Sequence, residues 1–408
     1  MKKFNSDSVV TYKDIEEAYQ FIKPHVLQTQ LSYSGNTSQW LGTEVFLKHE
    51  NEQRTGSFKV RGALNKVGHL DPDEKARGII ASSAGNHAQG VAFSAHQVNV
   101  PATIVMPKHS PLIKAKATQH YGATVIHHGD VYDQAYEFAR QLEKEKGYTF
   151  VHPFNDPWVI AGQGTVGIEI LQQVKDLDSI VVSVGGGGLI AGLATMVKHI
   201  NPKIKVYGVV AAKAPNMLGK FKGEPEKYPF ISGDTIADGI AVREANDFIC
   251  DNYIKPLVDD IVQVNDDEMC ESLVWLMERS KTVVEACSAA VLAGAHKANW
   301  DLGKKTCLIL SGGNIDLNLV AQIIERGLMR NGRLSRIRVK VSDRPGQLHL
   351  LTKVFSDLNA NVLEVHHDRH GENIEPKQAI MEFVIESRDH DHLKEIKSAI
   401  KATGAHLI

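Results

Sequence analysis

The sequence predicts an α/β protein built from two domains. In residues 43–314, short β-branched segments alternate with helical patterns, which is typical of an open, mostly parallel sheet with helices on both faces. Further along the chain the pattern changes, and residues 337–408 follow the order βαββαβ of a ferredoxin-like domain. A length of 408 residues also suggests more than one domain. We therefore expect one domain over residues 1–332 and a second over residues 333–408.

The predicted strands of the first domain are short apolar or β-branched runs. They lie at residues 44–48, 78–82, 102–106, 124–127, 150–152, 180–184, 206–210, 260–264 and 306–310. Helical patterns occupy residues 111–121, 132–146, 190–200, 267–280 and 317–331. In the second domain we expect strands at residues 337–341, 361–366, 380–386 and 405–408, and helices at residues 345–358 and 391–402. Ligands of parallel sheets collect at the C-terminal ends of the strands, so functional motifs are expected in the loops that follow them.

Composition excludes several classes of partner. Hydrophobic content of 43%, charged content of 23% and a net charge of −2 are those of a soluble globular protein without a basic surface for nucleic acid. No stretch approaches the roughly 18 apolar residues of a membrane span, and the first seven residues lack the apolar segment of a signal peptide. The four cysteines form no CxxC pair, so we expect buried thiols, no structural metal and a cytoplasmic protein.

A lysine stands at a predicted helix start in the segment GSFKVRGA, residues 56–63. Ser57 is the predicted N-cap, and apolar residues at helical spacing over residues 58–70 place Lys59 in the first turn. The unpaired N–H groups of a helix start disfavour a cation, which lowers the pKa of a lysine there and favours a neutral, nucleophilic amine. A solvated surface lysine is the alternative for this stretch alone.

Four consecutive glycines connect a predicted strand to a helix in the segment SVGGGGLIAG, residues 183–192. Glycine runs are entropically costly, but they allow backbone N–H groups to turn toward one anion. At a helix N-terminus that anion is most simply a phosphate, although a tight turn is the alternative. A dinucleotide site is disfavoured, because the spacing does not match G-x-G-x-x-G and no acidic residue is well placed about 20 residues further on.

Two more motifs follow predicted strands. In SSAGNHAQG, residues 82–90, small residues with Asn86 and His87 allow amide and side-chain donors to converge on a carboxylate or a ring oxygen. His87 by itself would equally suit a buried core histidine. In LSGGN, residues 310–314, Ser311 offers a hydroxyl group at a strand end.

Together, a reactive lysine, a phosphate-binding loop, a carboxylate-binding loop and a strand-end serine describe a pyridoxal-phosphate (PLP) site. The order SFKxRGA, SAGNHAQG, GGGGLIAG and SGGN resembles the fold-type II PLP enzymes, most closely the threonine ammonia-lyases, also called threonine dehydratases. This resemblance implies two open, twisted, mostly parallel sheets, with a smaller subdomain of about residues 46–150 inserted in the larger one. The segment DRPG at residues 343–346, with its βαββαβ context, resembles a single ACT domain, an amino-acid-sensing module.

The resemblance implies which residues hold the cofactor. Lys59 would carry PLP as a Schiff base, and Phe58 would lie against the ring. Asn86 would bond the ring oxygen, and Ser311 the pyridine nitrogen. The phosphate would be bound by the loop residues Gly185, Gly186, Gly187, Gly188 and Leu189.

The resemblance also implies which residues bind the substrate. Ser83, Gly85 and His87 would receive the substrate carboxylate. Asn155, in HPFND at residues 152–156, resembles a family residue near the cofactor, with a turn asparagine as the alternative.

These residue types favour β-elimination. Once the substrate amine has displaced it, Lys59 is placed to take the Cα proton, while PLP stabilises the resulting carbanion. Because the Ser311 hydroxyl cannot protonate the ring nitrogen as a carboxylate partner would, we expect the β-hydroxyl to leave and a 2-oxo acid and ammonia to form. Serine racemases resemble the SSAGNHAQG loop but carry a second serine in place of Ala84, so racemisation is disfavoured.

Two stretches depart from the family pattern. Many relatives have an acidic residue of a cation site after the strand at residues 206–210, where this chain reads AAKAPN at residues 211–216. We therefore expect no divalent-cation site there; Lys213 is either a solvated surface lysine or an ammonium in the place of the cation. In VEACSA, residues 284–289, Ala, Cys and Ser replace the Pro, Ala and Gly of the family's EPAGA-like stretch, which leaves substrate specificity open. Glu285 is expected to face the cofactor pocket, and Cys287 to be a buried thiol.

The second domain is expected to be regulatory. The ACT resemblance implies an amino-acid effector site between paired domains, formed by Asp343, Arg344, Pro345, Gly346 and Leu348. Isoleucine or valine as the effector is feedback logic by analogy. His366, Asp368 and His370 alternate on one strand face, but no further ligand is evident, so a solvated strand end is favoured over a metal site.

The sequence thus indicates a cytoplasmic PLP-dependent lyase that converts threonine to 2-oxobutanoate and ammonia, and also serine to pyruvate. Allosteric regulation through the ACT domain, a role in isoleucine biosynthesis and a homo-oligomer, dimer or tetramer, follow by analogy. The alternatives are a lyase that prefers serine or 3-hydroxyaspartate, and a catalytically silent amino-acid sensor.

Overall fold

The computed structural model describes residues 4–5, 8–371 and 374–408. The predicted absence of a signal segment concerns the first seven residues, most of which lie outside this range. The chain divides into two compact units, one ending at Ile315 and the other starting at Asp316. The predicted domain boundary between residues 332 and 333 stays a prediction. No helix in the described part of the chain has the length and apolar character needed to cross a bilayer.

The strands of the first unit follow the predicted alternation with helices. In chain order they are β1 (Leu31–Tyr33), β2 (Glu44–His49), β3 (Ile79–Ser82), β4 (Ala102–Met106), β5 (Thr124–His127), β6 (Thr149–Phe150), β7 (Ser179–Ser183), β8 (Lys205–Ala211), β9 (Asp260–Val264) and β10 (Lys305–Leu310). Each predicted strand is present, with ends shifted by a residue or two. The sequence analysis missed β1, which has three residues and pairs antiparallel with β2.

The helices of the first unit connect these strands. They are α1 (Tyr12–Ile22), α2 (Gly35–Leu41), α3 (Lys59–Gly68), α4 (Pro72–Arg77), α5 (Asn86–Gln97), α6 (Leu112–His120), α7 (Tyr132–Lys146), α8 (Pro157–Gln173), α9 (Gly188–Ile200), α10 (Asn216–Lys222), α11 (Asp247–Ile249), α12 (Lys255–Leu257), α13 (Asp266–Trp275) and α14 (Ala286–Lys297).

Two sheets form the first unit. The larger has six strands in the order β1-β2-β10-β7-β8-β9, and all its pairs except β1 with β2 are parallel. The smaller has four parallel strands in the order β5-β4-β3-β6. Buried strands such as β7 (SIVVS) are apolar on both faces because helices cover both sides. The predicted pair of open, mostly parallel sheets is confirmed.

Close contacts between helices hold the reactive segments in place. A Cβ on Gly162 of α8 would lie 2.5 Å from the carbonyl oxygen of Arg61 in α3. A Cβ on Gly192 of α9 would lie 2.2 Å from the carbonyl oxygen of Ile160 in α8. Only glycine allows backbones to approach so closely. Helix α8 therefore supports both α3, which begins at Lys59, and α9, which follows the four glycines.

The second unit contains the predicted βαββαβ fold preceded by a helix. Its elements are α15 (Leu317–Arg330), β11 (Leu334–Ser342), α16 (Gln347–Asp357), β12 (Asn361–Asp368), β13 (Gln378–Glu386), α17 (His390–Ala402) and β14 (His406–Leu407). The sheet is antiparallel in the order β12-β13-β11-β14. Phe355 of α16 and Ile396 of α17 are fully buried against it, together with Phe383.

Candidate active site

A cavity of about 1580 Å³ in the first unit gathers the predicted motifs. Its walls come from the C-terminal ends of β3, β6, β7 and β10 and from the start of α3, so strands of both sheets contribute. The predicted site residues that line it are Phe58, Lys59, Ser83, Gly85, Asn86, His87, Gly185, Gly186, Gly187, Gly188, Leu189 and Ser311. This convergence of loops at strand ends is what a parallel sheet provides.

Lys59 is the first residue of α3, as the prediction of a first-turn lysine required. The predicted N-cap is wrong: the cap position belongs to Phe58, and the buried Ser57 hydroxyl makes no hydrogen bond among the described residues. The Lys59 Nζ donates to the carbonyl oxygen of Pro153 at 2.9 Å. Burial is the main cause that lowers the pKa of Lys59 to about 8, while the carboxyl of Glu285 acts in the opposite direction. A substantial part of this amine is therefore neutral near pH 8.

A buried ion network fixes the helix that carries Lys59. Arg61 lies 2.8 Å from Oε1 of Glu50 and 2.7 Å from Oε1 of Glu169, and all three side chains are almost fully buried. Lys48 adds a contact of 2.6 Å to Glu169. Two cations and two carboxylates offset one another, which buried charges require. The network ties α3 to α8 and to the end of β2.

The glycine loop is shaped by its neighbours as well as by its turn. Gly187 has a φ of +88°, in the left-handed region that favours glycine. A Cβ on Gly186 would lie 2.2 Å from the ring of Phe154, and one on Gly188 would lie 3.0 Å from its Cα. The first N–H groups of α9 have no partners within the helix. The loop thus forms a cradle, free of side chains, at a helix N-terminus, and this geometry fits a phosphate group.

The SSAGNHAQG loop presents backbone donors at the start of α5. The Ser83 hydroxyl accepts a hydrogen bond from the N–H of Gly85 at 3.1 Å. The His87 ring is buried, its Nε2 lies 2.8 Å from the carbonyl oxygen of Val151, and burial lowers its pKa to about 3. The ring is therefore neutral and donates Nε2–H to that carbonyl. Only the backbone N–H of His87, in the first turn of α5, remains for a carboxylate.

Glu285 faces the cavity, as the sequence predicted, and holds Asn86. Both carboxyl oxygens accept from the Nδ2 of Asn86, at 2.9 and 2.8 Å, and the Oδ1 of Asn86 accepts from Asn314 at 2.8 Å. Burial raises the pKa of Glu285 to about 7. Cys287 also lines the cavity as a buried thiol, and burial raises its pKa. The Asn86 amide is thereby oriented, and Nδ2 retains a second hydrogen for a ring oxygen.

Ser311 follows β10 and carries a hydroxyl group without a strong partner. Among the described residues its Oγ is paired with the hydroxyls of Ser183 at 3.4 Å and Ser288 at 3.3 Å. Both distances exceed the 2.7–2.8 Å that is usual between hydroxyl groups. Ser311 is 2% exposed and lines the cavity, so its proton is available to an acceptor such as a ring nitrogen. The sequence analysis assigned no role to Ser183 or Ser288, although they lie in the SVGGGGLIAG and VEACSA segments, because nothing in these local patterns indicates a contact with Ser311.

Asn155 is the predicted site residue that does not line this cavity. Its backbone N–H donates to Nδ1 of His152 at 2.8 Å. The neighbouring residues His152, Pro153 and Phe154 line the cavity instead. The assignment of Asn155 to the substrate site stays a prediction, and its position agrees with the alternative of a turn asparagine.

Lys213 is bound within the protein rather than freely solvated. Its Nζ donates to the carbonyl oxygen of Asp234 at 2.5 Å and to Oδ2 of Asp266 at 2.8 Å. Thr235 donates to the other oxygen of Asp266. The ammonium thus connects the segment around Asp234 to the start of α13, although its side chain is 41% exposed. In the described part of the chain no group of three or more His, Cys, Asp and Glu side chains could hold a metal ion.

The predicted effector residues lie together in the second unit, at the turn between β11 and α16. Gly346 has a φ of +93° and precedes α16, while the Leu348 side chain is 40% exposed. Asp343 forms an ion pair of 3.1 Å with Arg369. In the nearby strand end, Asp368 accepts from the backbone N–H groups of His370 and Gly371, so its carboxylate serves a local turn.

Comparisons with known proteins agree with this site. A model of the pyridoxal-phosphate dependent enzyme family matches residues 22–312, and a model of the ACT domain matches residues 335–405. An L-threonine ammonia-lyase of Thermotoga maritima is 43% identical over 97% of this chain and 98% of its own length.

Two solved structures resemble this chain. A serine racemase of maize, 32% identical with a TM-score of 0.72, matches 79% of this chain and 99% of its own. A threonine deaminase from a tomato, Solanum lycopersicum, 32% identical with a TM-score of 0.70, matches 81% of this chain and 94% of its own. The chain therefore belongs to the pyridoxal-phosphate dependent enzyme family and carries a C-terminal ACT domain.

Proposed function

We propose that this protein is a PLP-dependent ammonia-lyase that converts L-threonine to 2-oxobutanoate and ammonia, and L-serine to pyruvate and ammonia. One observation carries the proposal: the buried amine of Lys59, with its pKa lowered to about 8, shares one cavity with the glycine cradle and with the weakly paired hydroxyl of Ser311. The similarity over almost the whole chain to an L-threonine ammonia-lyase supports threonine as the substrate.

Different cavity residues would bind different parts of the cofactor. The backbone N–H groups of residues 185–189 would bind the phosphate, and Lys59 would bind the cofactor covalently. Phe58, which lies at the start of α3, would pack against the ring, Asn86 would donate to the ring oxygen, and Ser311 would bond the ring nitrogen. When bound, PLP supplies an electron sink for the charge that develops at the substrate Cα.

The substrate carboxylate fits the start of α5. The hydroxyl of Ser83 and the backbone N–H groups of residues 86 and 87 belong to a loop and a helix N-terminus, where negative charge is favoured, while the N–H of Gly85 donates to Ser83. Because the His87 ring is neutral and donates to Val151, it supplies shape and a backbone donor rather than a positive charge. Asn155 would contribute through the turn that positions Phe154 at the cavity wall.

Lys59 would move the proton. With PLP bound, the amine of Lys59, once displaced by the substrate's amino group, would accept the Cα proton and would donate a proton to the departing β-hydroxyl. A lysine with a pKa of about 8 can both accept and donate near neutral pH, whereas an ordinary lysine, with a pKa of 10.5, remains almost fully protonated. Loss of water from threonine would give an enamine, which tautomerises to an imine, and water then hydrolyses the imine to 2-oxobutanoate and ammonia.

Ala84 favours elimination over racemisation. A racemase must protonate Cα on the face opposite to the lysine, which requires a second acid group. Ala84 lines the cavity between Ser83 and Gly85 and has no hydroxyl group to fill that role. The similarity to a serine racemase structure therefore bears on the fold and the cofactor site rather than on the reaction.

The second unit would make this activity responsive to an amino acid. The turn of Asp343, Arg344, Pro345 and Gly346, together with Leu348, would form the effector site where two ACT domains pair, so the enzyme would act as a homo-oligomer. Isoleucine is the effector to test first, because inhibition by it would indicate a biosynthetic role.

The test is release of 2-oxo acid from L-threonine, L-serine and 3-hydroxyaspartate by the PLP-loaded protein, with and without isoleucine. Lys59→Ala should abolish release, whereas Lys66→Ala should not, since Lys66 lies on the same helix but pairs with Asp156 at 2.8 Å. Faster turnover of serine or 3-hydroxyaspartate than of threonine would select the rival lyases. No turnover of any of the three would return the chain to a catalytically silent sensor.

A further inference from the structure

Ser288 forms an unusual double hydrogen bond to one residue of the active-site wall. It is fully buried in the first turn of α14. Its hydroxyl oxygen accepts from the N–H of Gly312 at 2.8 Å and donates to the carbonyl oxygen of the same residue at 2.7 Å. One side chain thus satisfies both backbone groups of Gly312. These groups lie beyond the end of β10, where the sheet no longer provides partners.

The two hydrogen bonds to Gly312 determine whether Ser288 can donate to Ser311 or accept from it. The proton of Ser288 is directed at the carbonyl of Gly312, so Ser288 can only accept from Ser311, which lies 3.3 Å away. A hydroxyl oxygen has two lone pairs, and the N–H of Gly312 occupies one of them. The long distance makes this second acceptance weak. Ser288 therefore restrains the Ser311 hydroxyl without holding its proton.

Gly312 also contacts the segment that precedes Lys59. Ser57 and Gly312 form an antiparallel β-bridge, and the carbonyl of Ser311 accepts from the N–H of Phe58 at 3.1 Å. The N–H of Gly313 donates to the carbonyl of Gly56 at 2.8 Å. Fixing Gly312 therefore fixes both the hydroxyl of Ser311 and the three residues that precede Lys59.

There is little room for Gly312 to move. A Cβ on it would lie 2.5 Å from Oε1 of Glu285 and 3.0 Å from Nδ2 of Asn86. The Gly312 carbonyl also accepts from the N–H of Glu285 at 3.0 Å. Ser288, in α14, contacts Gly312 as well through its two hydrogen bonds.

We propose that Ser288 is a positioning residue, which clamps Gly312 and thereby sets the Ser311 hydroxyl against the cofactor's ring nitrogen and Lys59 against the cofactor's aldehyde carbon. This inference rests on the proposed function only in assuming that PLP occupies the cavity. It does not depend on which amino acid the enzyme uses.

The test is the state of the ring nitrogen in Ser288→Ala. PLP labelled with ¹⁵N in the ring is bound to the full-length protein, and its ¹⁵N resonance and dissociation constant are measured. We expect the resonance to move and PLP to bind roughly tenfold more weakly, which is the order expected when a buried hydrogen-bonding group loses its partner. Ser288→Thr, which keeps the hydroxyl, should restore both values toward the wild type.

The matched control is Ser179→Ala. Ser179 is also fully buried, donates to the carbonyl oxygen of Leu302 and is hydrogen-bonded to the hydroxyl of Thr306, but it lies at the start of β7, the end of the larger sheet opposite to the cavity. The substitution Ser179→Ala should lower the midpoint of thermal unfolding while leaving the ¹⁵N resonance and the PLP affinity unchanged.

An unchanged resonance and affinity in Ser288→Ala, with a loss of stability like that of the control, would overturn the proposal. If Ser288→Ala does not fold, Ser288→Cys, which preserves the volume, is measured in the same way with the same expectation. Wild type that binds PLP but releases no oxo acid would contradict the proposed function alone, because the resonance still tests Ser288.

Discussion

Glu285 provides a quantitative test of the electrostatics around the site. Its carboxyl group is 7% exposed, both oxygens accept from Asn86, and burial raises its pKa from an ordinary 4.5 to about 7. The carboxylate therefore ionises at a higher pH in the folded protein than in the unfolded chain. Replacing it with the uncharged Gln should remove this difference at almost constant shape.

The sign of the effect follows from proton linkage. Because the folded pKa is raised, the folded state is favoured below pH 4.5 and loses that advantage as the pH rises through about 7. The difference between 4.5 and about 7 corresponds to roughly 3 kcal/mol at 1.36 kcal/mol per pKa unit. The hydrogen bond from Asn86 lowers the pKa of Glu285 and therefore already contributes to the value of about 7. Glu285→Gln should thus gain about 3 kcal/mol relative to wild type between pH 4.5 and pH 8.

The assay is thermal unfolding of the cofactor-free protein at pH 5 and pH 8. The midpoint of Glu285→Gln minus that of wild type should rise by a few degrees from pH 5 to pH 8. Glu16→Gln, at an exposed position of α1, should show no such rise. A difference for Glu285→Gln that is the same at both pH values would refute the reasoning.

Three further predictions concern Arg61, Lys213 and Lys59. Arg61→Met should lower the free energy of unfolding by about 3–5 kcal/mol, measured with urea, because it leaves the buried carboxylate of Glu50 without its cation and Glu169 with Lys48 alone; a loss under about 1 kcal/mol would contradict the role of the network. Lys213→Met should reduce turnover, because it removes the hydrogen bond that holds the Asp234 segment. Magnesium should not activate the wild type; activation that survives chelation controls would contradict the expected absence of a divalent-cation site. The rate of PLP incorporation should level off above about pH 8, since at pH 7.5 about a quarter of Lys59 is neutral, against roughly a thousandth for an ordinary lysine; a rate still rising near pH 10 would contradict the lowered pKa.

Sequence reasoning succeeded where the signal is local. Strand and helix alternation, the βαββαβ order and the placement of each glycine or serine motif at a strand end follow from patterns a few residues long. Once these elements form parallel sheets, their C-terminal ends meet, and the motifs of residues 82–90, 183–192 and 310–314 reach one cavity without further information.

Sequence reasoning was incomplete where a residue's role depends on a partner that is distant in the sequence. Ser57 resembles an N-cap, but it forms a β-bridge to Gly312, and α3 begins two residues later at Lys59. That His87 receives the substrate carboxylate stays a prediction, but its ring donates to the carbonyl oxygen of Val151, which follows β6, so only its backbone N–H is left for that role. Ser288 lies in the VEACSA segment, but nothing in that segment predicts its hydrogen bonds to Gly312, which follows β10. Such contacts depend on tertiary packing that local patterns do not encode.

The central claim is that Lys59 carries the cofactor. Treating the PLP-loaded protein with borohydride fixes the cofactor to its lysine, and mass spectrometry of the digested protein identifies that residue. We predict a single labelled peptide containing Lys59, lost in Lys59→Ala and retained in Lys66→Ala. Label on Lys114 or Lys220, which also line the cavity, or on no lysine, would contradict the account.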